Sequence, residues 1–509
     1  MRLSRTWLAA LAATVVATGG LAACSPNPSG DATSQGMLTI ARTGDIDQLD
    51  PARATAFQTV QTLGLVYDTL LTSDDTGNLA PGLATSWQEK GATVTFALRS
   101  GVKFHDGTPF TASDVKATLE RDLDPKTSSV VRSYLKVITS VAAPSSTSVV
   151  LTLQHPDTSL LTALTYVGAS ILAEKDIKAG TVARKPNGTG PYAWGKWQQN
   201  QRLDLTANSA YWGGKPKNGG LEFRVIPDEA SIVSGMKAHS FDFGLVSDPA
   251  VARQVSTGGN VTVVNEPTLS YHVLQLNGRR GPLANVKARQ AIACAVDRPQ
   301  LAASVYFGHA TVTGPITSPA YPYDATAGLP CKPGDVNAAK QLLAASGNPN
   351  GFTLHTIVET GEYSTSTNIA QVLQSQLGAI GVKLDIDRQQ TNVYVPNWTK
   401  ANFDAAVALN GGSVDPYLQY GRYFTTDGSL KVPAGLTDAK LDQLLTQGNA
   451  ATDLAARKQI FGQLQQTLLT DSPWVWLLRN QVYYLTTKGV TGFKPLPTES
   501  LLYLRDTKA

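Results

Sequence analysis

From about residue 184 onward, short runs with the two-residue alternation of β-strands take turns with longer runs of helical period. That alternation restricts the chain to α/β lobes in which ligands lie at strand ends. Strand patterns occur at Leu203-Asp204-Leu205, Leu221 to Ile226, Thr353 to Val358, Val382 to Ile386 and Phe403 to Leu409. Helical period marks Ala284 to Tyr306, Val336 to Ala345, Ile369 to Ile380 and Ala439 to Leu469, the last as more than one helix. Earlier, Leu38 to Ala41, Val94 to Arg99 and Val149 to Leu153 alternate as strands. Asp106-Gly107 predicts a turn, and Thr111 to Asp114 a capping box opening a helix to about Arg121. A length of 509 residues predicts two or three lobes rather than one core. An apolar share of 42% supports real cores, and a charged share of 16% excludes a disordered, highly charged chain.

The first 24 residues predict the compartment. Arg2 and Arg5 precede an apolar run, Trp7 to Leu21, too short for the ~20 residues of a membrane-spanning helix. It reads as a signal peptide over residues 1–23. The run ends in Leu21-Ala22-Ala23-Cys24, a lipobox pattern in which small residues admit the peptidase and the Cys24 thiol takes a diacylglycerol. The alternative is ordinary secretory cleavage with an incidental cysteine. Ser, Pro, Asn and Gly in residues 24–36 predict a lipidated flexible tether. The expected location is outside the cytoplasm, anchored to the cell membrane by lipid. Formal net charge is +4, falls by two once Arg2 and Arg5 are removed, and no Lys/Arg run occurs, so no nucleic-acid partner is expected. Two cysteines remain beyond Cys24, and in an oxidising compartment Cys294 and Cys331 predict a disulfide worth about 4 kcal/mol in the chain-entropy model. Two separate buried thiols are the alternative.

Catalytic motifs fail on inspection. Gly190 to Lys196 matches most of a phosphate-binding loop, yet Trp197 stands where a Ser or Thr hydroxyl is needed, and Pro191 removes a backbone donor. Gly188-x-Gly190-x-x-Ala193 fails as a dinucleotide fingerprint for the same proline. The histidines show no metal-ligand spacing, and no Gly-x-Ser-x-Gly elbow occurs. No metal, cofactor or enzymatic activity is expected.

Several blocks in order are specific: Leu49-Asp50-Pro51, Tyr67 to Leu71, Leu79 to Trp87, Phe96 to Arg99, and Val102 to Val115 with its Phe104-His105-Asp106-Gly107-Thr108-Pro109 core. Gly188 to Tyr192, Asn208 to Trp212, Ala288 to Ile292 with Asp297-Arg298, and Asp415-Pro416 follow. Over roughly residues 38 to 500 the chain resembles the family 5 extracellular solute-binding proteins of bacterial ABC importers, the oligopeptide, dipeptide and nickel-chelate group. The resemblance implies an α/β, bilobal periplasmic-binding-protein fold of type II: a three-part cluster with an added domain and a hinge between lobes. Lobe I would comprise residues 37–69, 184–271 and 484–509, the added domain 70–183 and lobe III 272–483, with chain crossings near Tyr271 and Tyr484. It implies a monomeric receptor that captures a peptide-like or other small polar solute between lobes and delivers it to an ABC permease in the membrane. Most block residues, His105 included, read as structural.

In peptide-binding members an aspartate three residues before the Asp/Glu-Pro pair holds the ligand's α-ammonium; here that position is Gly412. Loss of a charge-assisted pair argues against an ordinary free-amine peptide. Candidate ligand contacts are Asn410, Gly411, Gly412, Asp415, Tyr417, Trp398, Tyr271, His272 and Arg388, with Tyr420 and Tyr423 as further aromatic walls. The competing expectations are an exported enzyme of unrecognised type, or a surface sensor or adhesion lipoprotein that kept the fold.

Overall fold

A computed structural model of the chain describes residues 36–508 apart from 75–78, 256–258, 309, 319–320, 322–326, 362, 364 and 452. The expected signal segment and Cys24 lie outside the described residues. The described strands, in chain order, begin with β1 (Met37–Arg42), β2 (Leu71–Ser73), β3 (Leu79–Pro81), β4 (Ala84–Lys90), β5 (Thr93–Leu98), β6 (Ile138–Ser145) and β7 (Ser148–Leu153). There follow β8 (Tyr192–Gln198), β9 (Arg202–Ala207), β10 (Gly220–Val225), β11 (Phe243–Val246) and β12 (Val261–Leu276). The last are β13 (Phe352–Glu359), β14 (Val382–Gln389), β15 (Ala405–Asn410) and β16 (Trp474–Thr487).

A sheet of 10 strands runs through the molecule in the order β14-β13-β15-β12-β16-β11-β1-β10-β9-β8. Its centre is the antiparallel pair β12 and β16, 16 and 14 residues long against the ~5–6 of an ordinary strand. The first half of β12, Val261–Pro267, pairs with Gln481–Thr487; from Tyr271 it pairs with Trp474–Arg479, with register shifts on both sides of Tyr271. β11 joins β16 at Tyr483–Thr486, and β15 joins β12 at Tyr271–Leu276. β1, β10 and β11 are mutually parallel, and so are β13, β14 and β15. Because each set runs against a different member of the central pair, the carboxyl ends of the two sets point at each other across the crossing. A separate four-stranded sheet, β4-β5-β7-β6, lies between β1 and β8 in sequence.

Local sequence explains the elements. β15 and the first half of β16 are nearly continuous buried runs, as strands covered on both faces require. The helix after Thr111 spans Ala112–Leu123, with Asp114 Oδ2 accepting the Thr111 N–H at 2.8 Å. The helical period from Ala284 to Tyr306 is two helices, Val286–Ala295 and Arg298–Tyr306. Asp297 caps the second at Gln300 N and Pro299 opens it, so the ladder cannot run through. The long period from Ala439 likewise divides into Ala439–Ala450 and Leu454–Asp471. Gly190 to Lys196 lies mostly in β8, which pairs with β9, so no helix N-terminus follows it to hold a phosphate. Cys294 and Cys331 are joined in a disulfide, with Cα atoms 5.9 Å apart.

The signature blocks hold one another. Asp68 accepts from Thr189 Oγ1 at 2.7 Å, Trp212 Nε1 at 2.8 Å and Tyr211 Oη at 3.0 Å. The His105 N–H donates to Gly188 O at 2.8 Å, and His105 Nε2 lies 3.0 Å from Gly190 O. Gly188 is obligatory here, since a Cβ would sit 2.0 Å from the Val66 carbonyl oxygen. Replacing Asp68 by alanine strands three donors at once, and each unmet donor costs ~1–3 kcal/mol. Asp68→Ala is expected to lower unfolding stability by about 3 kcal/mol in a urea titration; a loss under about 1 kcal/mol would contradict this network.

Candidate functional site

The facing carboxyl ends of the parallel strands define a seam over the crossing of β12 and β16. From one side come the loop after β1 (Thr43 to Ile46), the start of helix Phe57–Val66, and Ser247 after β11. From the other come Thr360, Gly361 and Tyr363 after β13, and the end of β15 at Asn410 with Gly411 to Ser413 after it. The two sides touch. A Cβ on Gly44 would meet Gly361 O at 2.3 Å, Phe57 packs edge-on against Tyr363 with ring centroids 5.7 Å apart, and a Cβ on Gly411 would reach Phe57 at 3.9 Å. The C-terminal segment closes the seam: Tyr363 Oη donates to Glu499 Oε2 at 2.8 Å and Gln61 Nε2 to Glu499 O at 2.9 Å. Burial holds the Glu499 carboxyl above the usual carboxylate range.

A small cavity of about 20 Å³ lies in this seam between Arg42, Gln58, Glu229, Ser247 and Tyr363. Its charges are fixed by the fold. Arg42 Nη1 donates to Thr62 Oγ1 at 2.8 Å, Nη2 lies 3.5 Å from Asp45 Oδ1, and the guanidinium stacks over Phe223 at 4.6 Å. Glu229 accepts the Ser247 N–H and hydroxyl and the Asp248 N–H, at 2.9, 2.7 and 2.9 Å. None of Arg42, Phe57, Glu229, Ser247, Tyr363 or Glu499 was singled out from sequence. The available signal was position: Arg42 ends β1 and Ser247 follows β11, and strand carboxyl ends are where open α/β sheets bind ligands.

The structure brings Tyr271, Asn410, Gly411 and Gly412 together at this seam. Tyr271 and Asn410 are cross-strand partners, both buried. Gly412 lies against backbone: a Cβ would fall 2.0 Å from Leu269 O and 2.4 Å from Thr317 Oγ1. No side chain fits there without a backbone shift, so the absence of an acid at 412 is built into the packing. Asp415 caps helix Pro416–Phe424 at Tyr417 N, 2.8 Å, and forms an ion pair with Arg457 at 2.7 Å. Tyr417 packs edge-on against Tyr134, centroids 6.1 Å apart. Tyr166 Oη donates to Ser413 Oγ at 3.0 Å, so Tyr134 and Tyr166, from the segment carrying the four-stranded sheet, border the loop after β15.

The remaining candidates are placed elsewhere. Trp398 is buried in the largest apolar cluster, its indole N–H donating to Gln275 Oε1 at 2.6 Å. Tyr420 is sealed, accepting from Trp476 Nε1 at 2.8 Å and donating to Pro315 O, and Tyr423 packs edge-on against Trp474 at 5.0 Å. Arg388 is exposed at the carboxyl end of the edge strand β14. His272, next to Tyr271 and therefore on the opposite sheet face, is wholly buried with Nε2 2.9 Å from Tyr306 Oη.

Burial pushes the His272 imidazole down to about 4 from its ordinary 6.5. The folded state thus binds fewer protons than the unfolded chain between these values. Its contribution is whole above pH 6.5 and lost as pH falls toward 4, about 3 kcal/mol in all. His272→Phe is expected to flatten the stability-versus-pH curve in that window relative to wild type; parallel curves would contradict the sealed, neutral imidazole.

Residues 78–431 match the family described as "Bacterial extracellular solute-binding proteins, family 5 Middle". The chain is 25% identical over 509 residues to the glutathione-binding protein GsiB of Escherichia coli O1:K1 / APEC, covering 96% of each protein. Among solved structures it is similar to the binding protein AgaA of A. tumefaciens R10 in complex with agropinic acid. That match has 26% identity and a TM-score of 0.84, over 93% of this chain and 98% of that one. A dipeptide-binding protein of Pseudoalteromonas sp. SM9913 in complex with Met-Leu superposes with a TM-score of 0.86 at 22% identity, over 92% and 99% of the two chains. With matching blocks, one sheet split by two crossing strands and loops that meet at facing strand ends, the chain belongs to family 5 of the bacterial extracellular solute-binding proteins.

Proposed function

We propose that this chain is the receptor of an ABC importer. It captures a small polar or peptide-like solute in the seam between residues 37–69, 184–271 and 484–509 on one side and 272–483 on the other, and presents the closed form to a membrane permease. The observation that carries the reading is the facing of strand carboxyl ends across a crossing of only two strands, in a chain of this family. Two strands with irregular register around Tyr271 are a natural hinge, and closure buries a ligand that contacts both sides. A solute touching both sides stabilises the closed form by its differential affinity for it. Tyr271, Asn410, Gly411, Phe57 and Tyr363 are the contacts we assign to it. Relatives named for glutathione, a dipeptide and agropinic acid bracket the solute as an amino-acid-derived molecule. Gly412 argues against recognition through a free α-ammonium at that position.

Two experiments test this reading. Purified mature protein is expected to gain ~2.7 kcal/mol of stability at a solute concentration 100 times Kd, for at least one of glutathione, a dipeptide or agropinic acid, and to return the solute unaltered. No stabilisation across peptides, sugars and chelates would overturn it, as would recovery of a chemically changed solute, which an exported enzyme would give. For the anchor we propose lipidation at Cys24. Cys24→Ala is expected to move the protein from the membrane fraction to the soluble fraction; unchanged membrane association would exclude that anchor.

A further inference from the structure

The end of the sheet away from the seam is formed by the amino ends of β1, β10 and β11 and the carboxyl end of β16. Four stretches that are far apart in sequence meet there: residues 208–219, 237–242, 488–491 and 502–508. The loop before β10 holds Lys215 and Lys217, and its Gly219 N–H donates to Gly36 O, at the start of β1, at 3.0 Å. The short helix Leu502–Asp506 is bound to the same loop, Lys217 N–H donating to Arg505 O at 2.7 Å and Asn218 Nδ2 to Leu504 O at 2.8 Å. Lys508 exchanges backbone hydrogen bonds with Thr491, three residues past Lys488 at the end of β16. Lys237 ends the helix Glu229–Lys237, and the chain returns to Asp242, whose carbonyl accepts the Thr487 N–H at 3.0 Å.

These stretches carry Lys215, Lys217, Lys237, Lys488, Arg505 and Lys508 against two acids, whereas the whole chain has 43 Lys or Arg against 39 Asp or Glu. The five lysines are exposed. Both acids are engaged: Asp506 lies 3.5 Å from Lys217 Nζ and from Arg505 Nε, and Asp242 Oδ2 accepts the Thr39 N–H at 2.9 Å. Among the described residues Lys215, Lys237, Lys488 and Lys508 stand in no ion pair. β10, β1, β11 and β16 are neighbours in that order, so at the usual strand spacing the cations share a patch ~15–20 Å wide. No basic run betrays it in the sequence, because the fold assembles it from four separate places.

The anchor proposed above is rooted on this face. Met37, which opens β1, is 41% exposed here, and only the 13 residues 24–36 join it to Cys24. A flexible chain of that length averages ~20 Å between its ends and spans at most ~45 Å. Lipid on Cys24 thus holds the patch near headgroups at high effective concentration, which matters because the screening length is only ~8 Å at physiological salt. We propose that this face is a docking surface for anionic phospholipid headgroups, which seats the anchored receptor by the end of the sheet opposite its solute seam. The assignment rests on the anchor reading and deepens it, since an acyl chain and a basic patch together hold a bilayer more firmly than either alone. β1 runs six residues, ~20 Å, from this face to the seam, so the seam stays open to the medium while the patch is seated.

The test uses the full mature chain without lipid, Cys24→Ala, in co-sedimentation with vesicles of phosphatidylcholine alone or of phosphatidylcholine and phosphatidylglycerol in equal parts. Binding to the anionic vesicles is expected to exceed binding to the neutral ones at least tenfold at about 0.01 M salt, where the screening length is ~30 Å, and to vanish at about 1 M, where it is ~3 Å. Adding Lys215→Glu, Lys488→Glu and Lys508→Glu is expected to cut that binding at least tenfold. Adding instead Lys287→Glu, Lys340→Glu and Lys383→Glu, exposed lysines on the other side of the seam, gives the same net charge and is expected to keep it. Should the first triple variant melt below wild type, Lys215→Glu and Lys488→Glu singly are each expected to weaken binding severalfold. Equal binding to both kinds of vesicle would overturn the docking surface, as would equal loss in the two triple variants, the sign of net charge alone. Either result leaves the anchor reading intact. That reading is tested apart, by washing membranes that carry the wild-type chain at about 1 M salt: a patch contact is lost there and an acyl anchor is not.

Discussion

The antiparallel pairing of β12 with β16 is the constraint on which the rest depends. Two long strands serve as the spine of both halves of the sheet, so the parallel sets attached to them must run toward the same crossing from opposite ends. Strand carboxyl ends, with their loops, are thereby collected at one seam. The irregular register around Tyr271 interrupts the ladder where bending is needed and nowhere else along the pair. One pairing thus puts the irregular register and the facing loops at the same point of the sheet.

The segments most recognisable in the sequence do a different job. Asp68 gathers donors from Thr189, Tyr211 and Trp212, and His105 binds the backbone of Gly188 and Gly190. These contacts tie the segment carrying the four-stranded sheet to the strands on either side of it in sequence. Their residue identities are restricted because each bond is made in a crowded interior, where no alternative partner is at hand.

Electrostatics at the seam serves the same end. Arg42, Asp45, Glu229 and Asp415 are paired or capped and hold loops in place. Glu499 is buried with a carboxyl raised by desolvation and joins the C-terminal segment to Tyr363. Fully met groups of this kind rigidify the walls of the seam.

Much of the secondary structure was legible from local pattern, since strand alternation and helix caps depend on neighbours in sequence. The capping box at Thr111 and the strands at Leu38, Leu221 and Val382 are cases. The break between Ala295 and Arg298 was encoded too, in Asp297 and Pro299, but helical period on both sides masked it. The cleft loop from Asn410 to Gly412 was readable through its resemblance to a family, and Gly412 by its lack of a side chain. Which candidates point into the seam was not readable. Adjacent strand residues face opposite ways, so Tyr271 lies beside Asn410 at the seam while His272 is sealed against Tyr306, and composition is silent on which is which. The sequence by itself determined the elements, their caps and the family. Which charges are paired, such as Asp415 with Arg457 forty-two positions on, was settled by tertiary structure alone, because it depends on which groups the fold brings within reach of one another.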